Sequence, residues 1–489
     1  LTKKYEYRIK PFEHQRKEFE EHGSDAARAN FSEQGTGKTK IIIDSAVKLY
    51  LQKKISALLI IAPNGVHRNW VVEELPKHLP LSVLEEVKMH VYKTVKSKTK
   101  QHQRSIKTLC MHNGFSILAI SYDAIMTDIG RQAVLDFFKN NKDKCFYVAD
   151  ESARIKNPNA KRTMRVLASS KYAIYRRILT GTPIANSPFD IYSQLKFLEP
   201  DFWKQHGIST FTGFKSTFGI WERKQNKQGQ RYDELVAYKH MDRLKEMIDS
   251  ISVRVTKDEV LDLPPKLYTK RFFELTDKQF RLYKELVEEF MTYLDGEDEM
   301  ITAPLAIVRL LRLQQVCCGY LPLDSDEEGA PLREICSSNP RLDLLKELTE
   351  DLSHKAIIWA RFTRDIDLIC GLLGSDAVRY DGQTDDEERA AAIEAFQHGE
   401  AKFFVANAQA AGEGLTLTAA RTVIYYSNSF KLTERLQSED RAHRIGQEHP
   451  VNYIDLIAEG TIDVHIVSSL AAKLDLARQI TGDKIRDWL

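Results

Sequence analysis

Cysteine is scarce in this chain: there are six in 489 residues, at positions 110, 145, 317, 318, 336 and 370. None falls at zinc-ligand spacing, and the adjacent pair Cys317 and Cys318 is a poor disulfide candidate. The thiols read as reduced and mostly buried, which fits a reducing, cytoplasmic compartment. Long apolar runs are also missing. None approaches the ~20 residues that span a bilayer, so no membrane partner is expected. No secretory signal is visible, and the chain opens on Leu1 rather than Met, which leaves the true N-terminus open. An excess of one charge is missing too: 71 Lys and Arg face 69 Asp and Glu, for a net charge of +2. That balance neither requires nor excludes nucleic acid, and any basic surface must be local.

The length exceeds what one hydrophobic core sustains, so two or three domains are expected. The stretch Glu33-Gln34-Gly35-Thr36-Gly37-Lys38-Thr39 reads as a phosphate-binding loop. Gly35 and Gly37 let the backbone curl so that N–H groups, including that of Thr36, converge on an anion. Lys38 is placed to reach the β- and γ-phosphates of ATP, and the Thr39 hydroxyl to hold Mg²⁺. Ser32 stands where the usual upstream glycine would be. The apolar residues from Ile41 to Tyr50 predict a buried helix with its N-terminus at the phosphates. Upstream, Gln15 offers an amide able to read an adenine edge.

Four apolar runs in the first half suit buried parallel strands: 57–63, 116–122, 145–151 and 177–183. The third ends in Asp150-Glu151. Beside a phosphate loop these carboxylates divide the labour: Asp150 joins Thr39 on the metal, and Glu151 orients and deprotonates the attacking water. The fourth ends in Thr180-Gly181-Thr182, where small hydroxyl residues can sense the γ-phosphate. Trp70 reads as core. Between Glu86 and Asp123 there is no acidic residue, while Lys88, Lys93, Lys96, Lys98, Lys100, Arg104 and Lys107 accumulate. That run is either a solvated face or a sequence-blind contact to a phosphate backbone.

Between about 201 and 301 the strand rhythm gives way to helical spacing. Phe280, Tyr283, Leu286, Val287 and Phe290 form a stripe expected to pack in a core, and the acidic runs 295–299 and 324–328 read as solvated turns. Pro264-Pro265 breaks any helix, and the domain boundary is expected there. The strand pattern returns at 356–360, 377–380, 402–406 and 422–426, which implies a second sheet domain. This half lacks a phosphate loop. It carries instead Gly412-Glu413-Gly414 and the block 437–447, in which Arg441 and Arg444 lie three apart and would share a helix face. Two guanidiniums presented together suit a transferring phosphoryl group, although ion-paired surface arginines have the same spacing.

These segments together resemble the Swi/Snf-type ATPases of helicase superfamily two. The likeness rests on Phe12-Glu13-His14-Gln15, Glu33 to Thr39, Ala62 to Trp70, Ser121-Tyr122, Asp150-Glu151-Ser152 followed by Ile155-Lys156-Asn157-Pro158, Leu179 to Asn186, Tyr380-Asp381-Gly382, Gly412 to Leu417, and Gln437 to Gln447. It runs nearly end to end. The resemblance implies an α/β fold of two RecA-like parallel-sheet lobes with helical protrusions. It divides the chain into an ATP-binding lobe (1–200), a helical insertion and linker (201–265), and a second lobe (266–489) with a protrusion at about 276–336. It implies a minimal duplex DNA translocase, nucleoid-associated in a bacterial or viral setting, that hydrolyses ATP with Mg²⁺ in the cleft between lobes. Lys38, Asp150, Glu151, Arg441 and Arg444 are its expected catalytic residues. Gln15, Gly35, Thr36, Gly37, Lys38, Thr39, Gly412 and Gly414 are expected on the nucleotide. Arg68, Tyr122, Lys156, Asn157 and Arg361 are expected near double-stranded DNA, bound without sequence preference. A strand-separating helicase and an ATP-gated clamp acting on an unidentified client protein remain alternatives.

Overall fold

The run Ala57–Ala62 contains no polar side chain, and all six residues are buried. Such a strand needs a sheet covered on both faces, and it lies between two parallel neighbours. A computed structural model describes residues 5–225, 229, 231–295, 303–322, 332–409, 415–481 and 483. Its first sheet comprises β1 (Ala27–Asn30), β2 (Ala57–Ala62), β3 (Lys88–Val91), β4 (Ser116–Ser121), β5 (Cys145–Asp150) and β6 (Tyr175–Leu179). Two further strands, β7 (Gly219–Gln225) and β8 (Arg231–Tyr238), pair only with each other, and β9 (Ser252–Val253) joins the first sheet. The order is β3-β4-β2-β5-β6-β1-β9, all parallel. β1 and β5 therefore flank β6, and their carboxyl ends emerge side by side.

The second sheet comprises β10 (Lys266–Phe273), β13 (Ala356–Trp359), β14 (Ala377–Tyr380), β15 (Phe403–Ala406), β16 (Thr422–Tyr425) and β17 (Val451–Ala458). A small ribbon of β11 (Tyr320–Pro322) and β12 (Leu332–Glu334) stands apart. The order is β10-β17-β16-β13-β15-β14, again parallel throughout. The chain divides into two units. The first holds Leu1–Glu222, Leu235–Asp262 and Leu476–Lys484; the second holds Arg223–Glu234, Leu263–Asp475 and Ile485–Leu489. Among the described residues, no helix is long and apolar enough to cross a membrane.

Several elements differ from the sequence expectations. The strand expected over 177–183 ends at Leu179, because Thr180 to Pro183 turn away to form part of the site. The stretch 201–265 holds helices Phe211–Phe218 and Met241–Asp249 but also the β7–β8 hairpin. In the aromatic stripe Tyr283 is buried, with Leu286 and Val287 against the same core, whereas Phe280 is 41% exposed. The Phe290 side chain, residues 296–299 of the first acidic run and the whole of the second lie outside the described residues.

Candidate active site

The phosphate loop is built from the end of β1 into helix Lys38–Leu51. Gly35 and Gly37 both have φ +81°, in the left-handed region that favours glycine. A Cβ at Gly37 would also lie 2.0 Å from Gln15 Nε2. Gln15 is 3% exposed; its Nε2 donates to the carbonyls of Thr36 (3.2 Å) and Gly37 (3.3 Å), and its Oε1 accepts the Phe12 N–H at 2.9 Å. Both amide ends are thus engaged, and Gln15 braces the loop instead of presenting an edge to adenine. His14 adds a ring contact to the Thr36 carbonyl at 2.9 Å. Lys38 Nζ donates to the carbonyls of Ser32 (2.8 Å) and Glu33 (3.0 Å), so it folds back over the loop. Within the helix Lys40 pairs with Asp44 at 2.9 Å, both buried.

Asp150 ends β5. Its Oδ2 accepts Trp70 Nε1 at 2.8 Å and its Oδ1 the Glu151 N–H at 3.0 Å. Burial pushes this carboxyl above its usual range, against the opposing pull of the Trp70 hydrogen bond and the Lys38 charge. Glu151 has φ +50°, a strained backbone for a side chain with a Cβ, costing on the order of 1–3 kcal/mol. That conformation aims its carboxylate sideways. Oε2 accepts Thr180 Oγ1 at 3.1 Å, and Oε1 accepts Gln34 Nε2 at 3.3 Å. Phosphate loop, strand end and Thr180 tip thus meet on one carboxylate. Gly181 permits the approach: a Cβ there would lie 3.2 Å from Gln34 Cγ.

In the second unit, helix Leu432–Ala442 stops before Arg444, so the two arginines do not share a helix face. They converge differently: Arg441 Nη1 (3.4 Å) and Arg444 Nη1 (2.9 Å) both donate to the Leu415 carbonyl. Gln447 closes the turn behind them, its Nε2 donating to the carbonyls of Thr418, Ala420 and Ala442. Arg441 is buried and Arg444 half-buried. Gly412 and Gly414 lie outside the described residues.

Residues 31–320 match the SNF2-related domain, and residues 340–446 match the helicase conserved C-terminal domain. The chain belongs to the SNF2-related family. Its two parallel sheets are accordingly RecA-like lobes. This SNF2-related chain is 30% identical over 344 residues to the human SWI/SNF-related matrix-associated actin-dependent regulator of chromatin subfamily A member 1, covering 68% of this chain and 31% of that protein. It is 26% identical over 470 residues to the ISWI chromatin-remodeling complex ATPase ISW2 of Saccharomyces cerevisiae, covering 92% of this chain and 39% of that protein. It therefore spans well under half the length of these two relatives. Among solved structures, the Sulfolobus solfataricus SWI2/SNF2 ATPase core in complex with dsDNA is 25% identical, with a TM-score of 0.43, covering 98% of this chain and 95% of that chain.

The residues expected near DNA in this SNF2-related chain fall into four kinds of place. Arg68 and Asn157 are exposed. Lys156 pairs with Asp190 at 3.5 Å. Arg361 is half-buried on a cavity of about 350 Å³, its Nη1 bonded to Gln314 Oε1. Tyr122 departs from the expectation: its ring is 1% exposed and its hydroxyl donates to the Asp150 carbonyl at 2.8 Å. It packs under the carboxylates because it directly follows β4 in the buried sheet. Sequence reasoning misses Gln34 and the hold of Trp70 on Asp150. Gln34 sits inside the loop motif, where spacing marks the glycines and Lys38 but says nothing of the variable positions.

Proposed function

We propose that this chain is an ATP-dependent double-stranded DNA translocase or remodeller. The observation that carries the reading is the Glu151 carboxylate, held between Gln34 of the phosphate loop and Thr180 of the β6 tip, beside half-buried Asp150. Glu151 accepts the proton of the attacking water. The new bond forms at the γ-phosphorus, and the bond to the β–γ bridging oxygen breaks, giving ADP and phosphate. The loop N–H groups and Lys38 hold the phosphates. The hydroxyl of Thr39 and the carboxylate of Asp150 are hard oxygen donors that suit Mg²⁺, which keeps several waters and binds through one or two carboxylates plus substrate phosphates. When bound, Mg²⁺ supplies charge neutralisation on those phosphates.

Arg441 and Arg444 supply positive charge to the transferring phosphoryl group when the two lobes close on ATP and DNA. Their shared hold on the Leu415 carbonyl keeps them together beforehand. Arg68, Asn157 and the basic edge at 88–107 contact phosphates, which gives little sequence preference and a steep salt dependence. The deciding measurement is the ATPase rate against duplex, single-stranded and forked DNA and RNA. Duplex DNA is expected to stimulate well beyond the others. Equal stimulation by single-stranded RNA rejects the reading. Unwinding of forks without triplex displacement moves it to a strand-separating helicase.

A further inference from the structure

Arg254 lies on the segment that runs beside the root of the phosphate loop. Backbone bonds from Ala29, Phe31 and Glu33 N–H to the carbonyls of Ile251, Val253 and Val255, each 2.9 Å, bind the two segments together. The Arg254 guanidinium reaches under the loop. Its Nη1 donates to the carbonyls of Phe31 and, at 3.0 Å, Gly181. Its other edge is taken by a residue 229 positions away. Asp483 Oδ1 accepts Nε at 3.0 Å, and Oδ2 accepts Nη2 at 2.6 Å. Such a two-point pair is the strong geometry for arginine and carboxylate. The side chains are only 17% and 13% exposed. The approach to Asp483 is fixed by the end of helix Ile462–Thr481, where Ile480 is fully buried in the first unit's core and Leu476 and Ala477 pack against it.

We infer that Asp483 and Arg254 are a positioning pair that makes turnover depend on the docking of the helix end at Leu476 to Ile480 and of Asp483. This rests on the assignment of Glu151 as the base. Arg254 holds the Gly181 carbonyl, and the preceding residue, Thr180, donates to Glu151. With Asp483 neutralised, a buried guanidinium loses its two-point partner. It swings toward Glu33, whose Oε1 lies 3.8 Å from Nη2, and releases Gly181. Glu151 then loses the donor that fixes its aim. The phosphate loop is spared because the three backbone bonds still hold its root, so nucleotide affinity persists while the chemical step slows.

The test is steady-state ATP hydrolysis by the full chain with saturating duplex DNA. Asp483→Asn is expected to lower kcat about 5- to 20-fold, with KM for ATP within about twofold of wild type; these limits bracket the loss of one orienting hydrogen bond. Asp483→Glu restores the carboxylate and is expected to recover most of kcat. Arg254→Lys keeps the charge but cannot serve carboxylate and carbonyls together, and falls as Asp483→Asn does. An unchanged kcat in Asp483→Asn, a rise in KM alone, or no recovery with Asp483→Glu overturns the inference. If Glu151→Gln abolishes turnover while Asp483→Asn is normal, only the pair is rejected. Normal turnover in Glu151→Gln rejects the underlying assignment itself.

Discussion

Glu151 shows how much of the proposed chemistry rests on one backbone angle. Its left-handed conformation turns the carboxylate toward Thr180 and Gln34 while adjacent Asp150 faces Trp70. Glu151→Gln keeps the shape and the Thr180 contact but removes the base. Turnover is expected to fall about 100-fold or more, with ATP binding retained in a fluorescent-nucleotide titration. A second carboxylate carries a pH signature unrelated to catalysis. Asp365 is fully buried among Tyr320, Ser427 and Cys318, and burial raises its pKa from 3.8 to about 6, against the hydrogen bonds from Tyr320 and Ser427. The folded state thus binds this proton more tightly than the unfolded chain. Its stabilising effect is complete below pH 3.8 and is lost as pH rises through about 6. At roughly 1.4 kcal/mol per pH unit, ionising Asp365 costs about 3 kcal/mol at pH 7. Asp365→Asn should therefore gain stability relative to wild type between pH 4 and 7 in denaturant melts; a constant difference across that range removes Asp365 as the source.

Among elements, helix Leu432–Ala442 is fixed by charge as well as by apolar packing. Arg435 lies 3.5 Å over the Tyr425 ring and donates to both oxygens of Asp455 and to Glu439, all buried. Glu439 also accepts from Lys266 and Tyr268, which ties β10 to the helix. Among the described residues, Asp455 would keep only the Asn428 amide if Arg435 were removed. Arg435→Leu is expected to cost about 3–5 kcal/mol, the scale for stranding a buried charge, read as loss of stability in chemical denaturation; a cost near zero would mean that Asp455 takes a proton freely. No local pattern announces this network, and the same limit governs the strands. β2, β4 and β5 are legible because each is a short unbroken apolar run. β17 is not, because Asn452 and Asp455 interrupt it, one of them for the sake of Arg435. β10 is an edge strand whose apolar ends are interrupted by Thr269, Lys270 and Arg271, and β1 is only Ala-Arg-Ala-Asn. In the site, Lys38, Asp150 and Glu151 are readable from residues close in sequence. Arg254 and Asp483 are not, because their meaning lies in a contact across 229 positions.

At the scale of the whole molecule, a net charge of +2 gives no general attraction to DNA, so the proposed affinity for a duplex would have to come from where cations collect. Lys88 on β3 at the sheet edge, Lys93, Lys96 and Lys98 on the segment that follows it, and Lys100, Arg104 and Lys107 on helix Lys100–Cys110 are all exposed. Among the described residues, none of the seven joins an ion pair. Cations left without local partners keep their full charge for an external polyanion, and each phosphate they neutralise releases counterions. A solvated face of lysines and a DNA-tracking face have the same sequence and the same exposure; they differ in linkage to salt. Replacing Lys93, Lys96 and Lys98 together by Gln removes three charges from exposed positions, where the fold has little at stake. If this edge holds the duplex, the slope of log affinity against log salt should become shallower by about 0.9 for each phosphate no longer neutralised, hence by nearly three. Duplex affinity at low salt should drop steeply, while ATP hydrolysis without DNA stays unchanged. A slope equal to that of the parent chain would place the DNA elsewhere and leave these lysines to solvent.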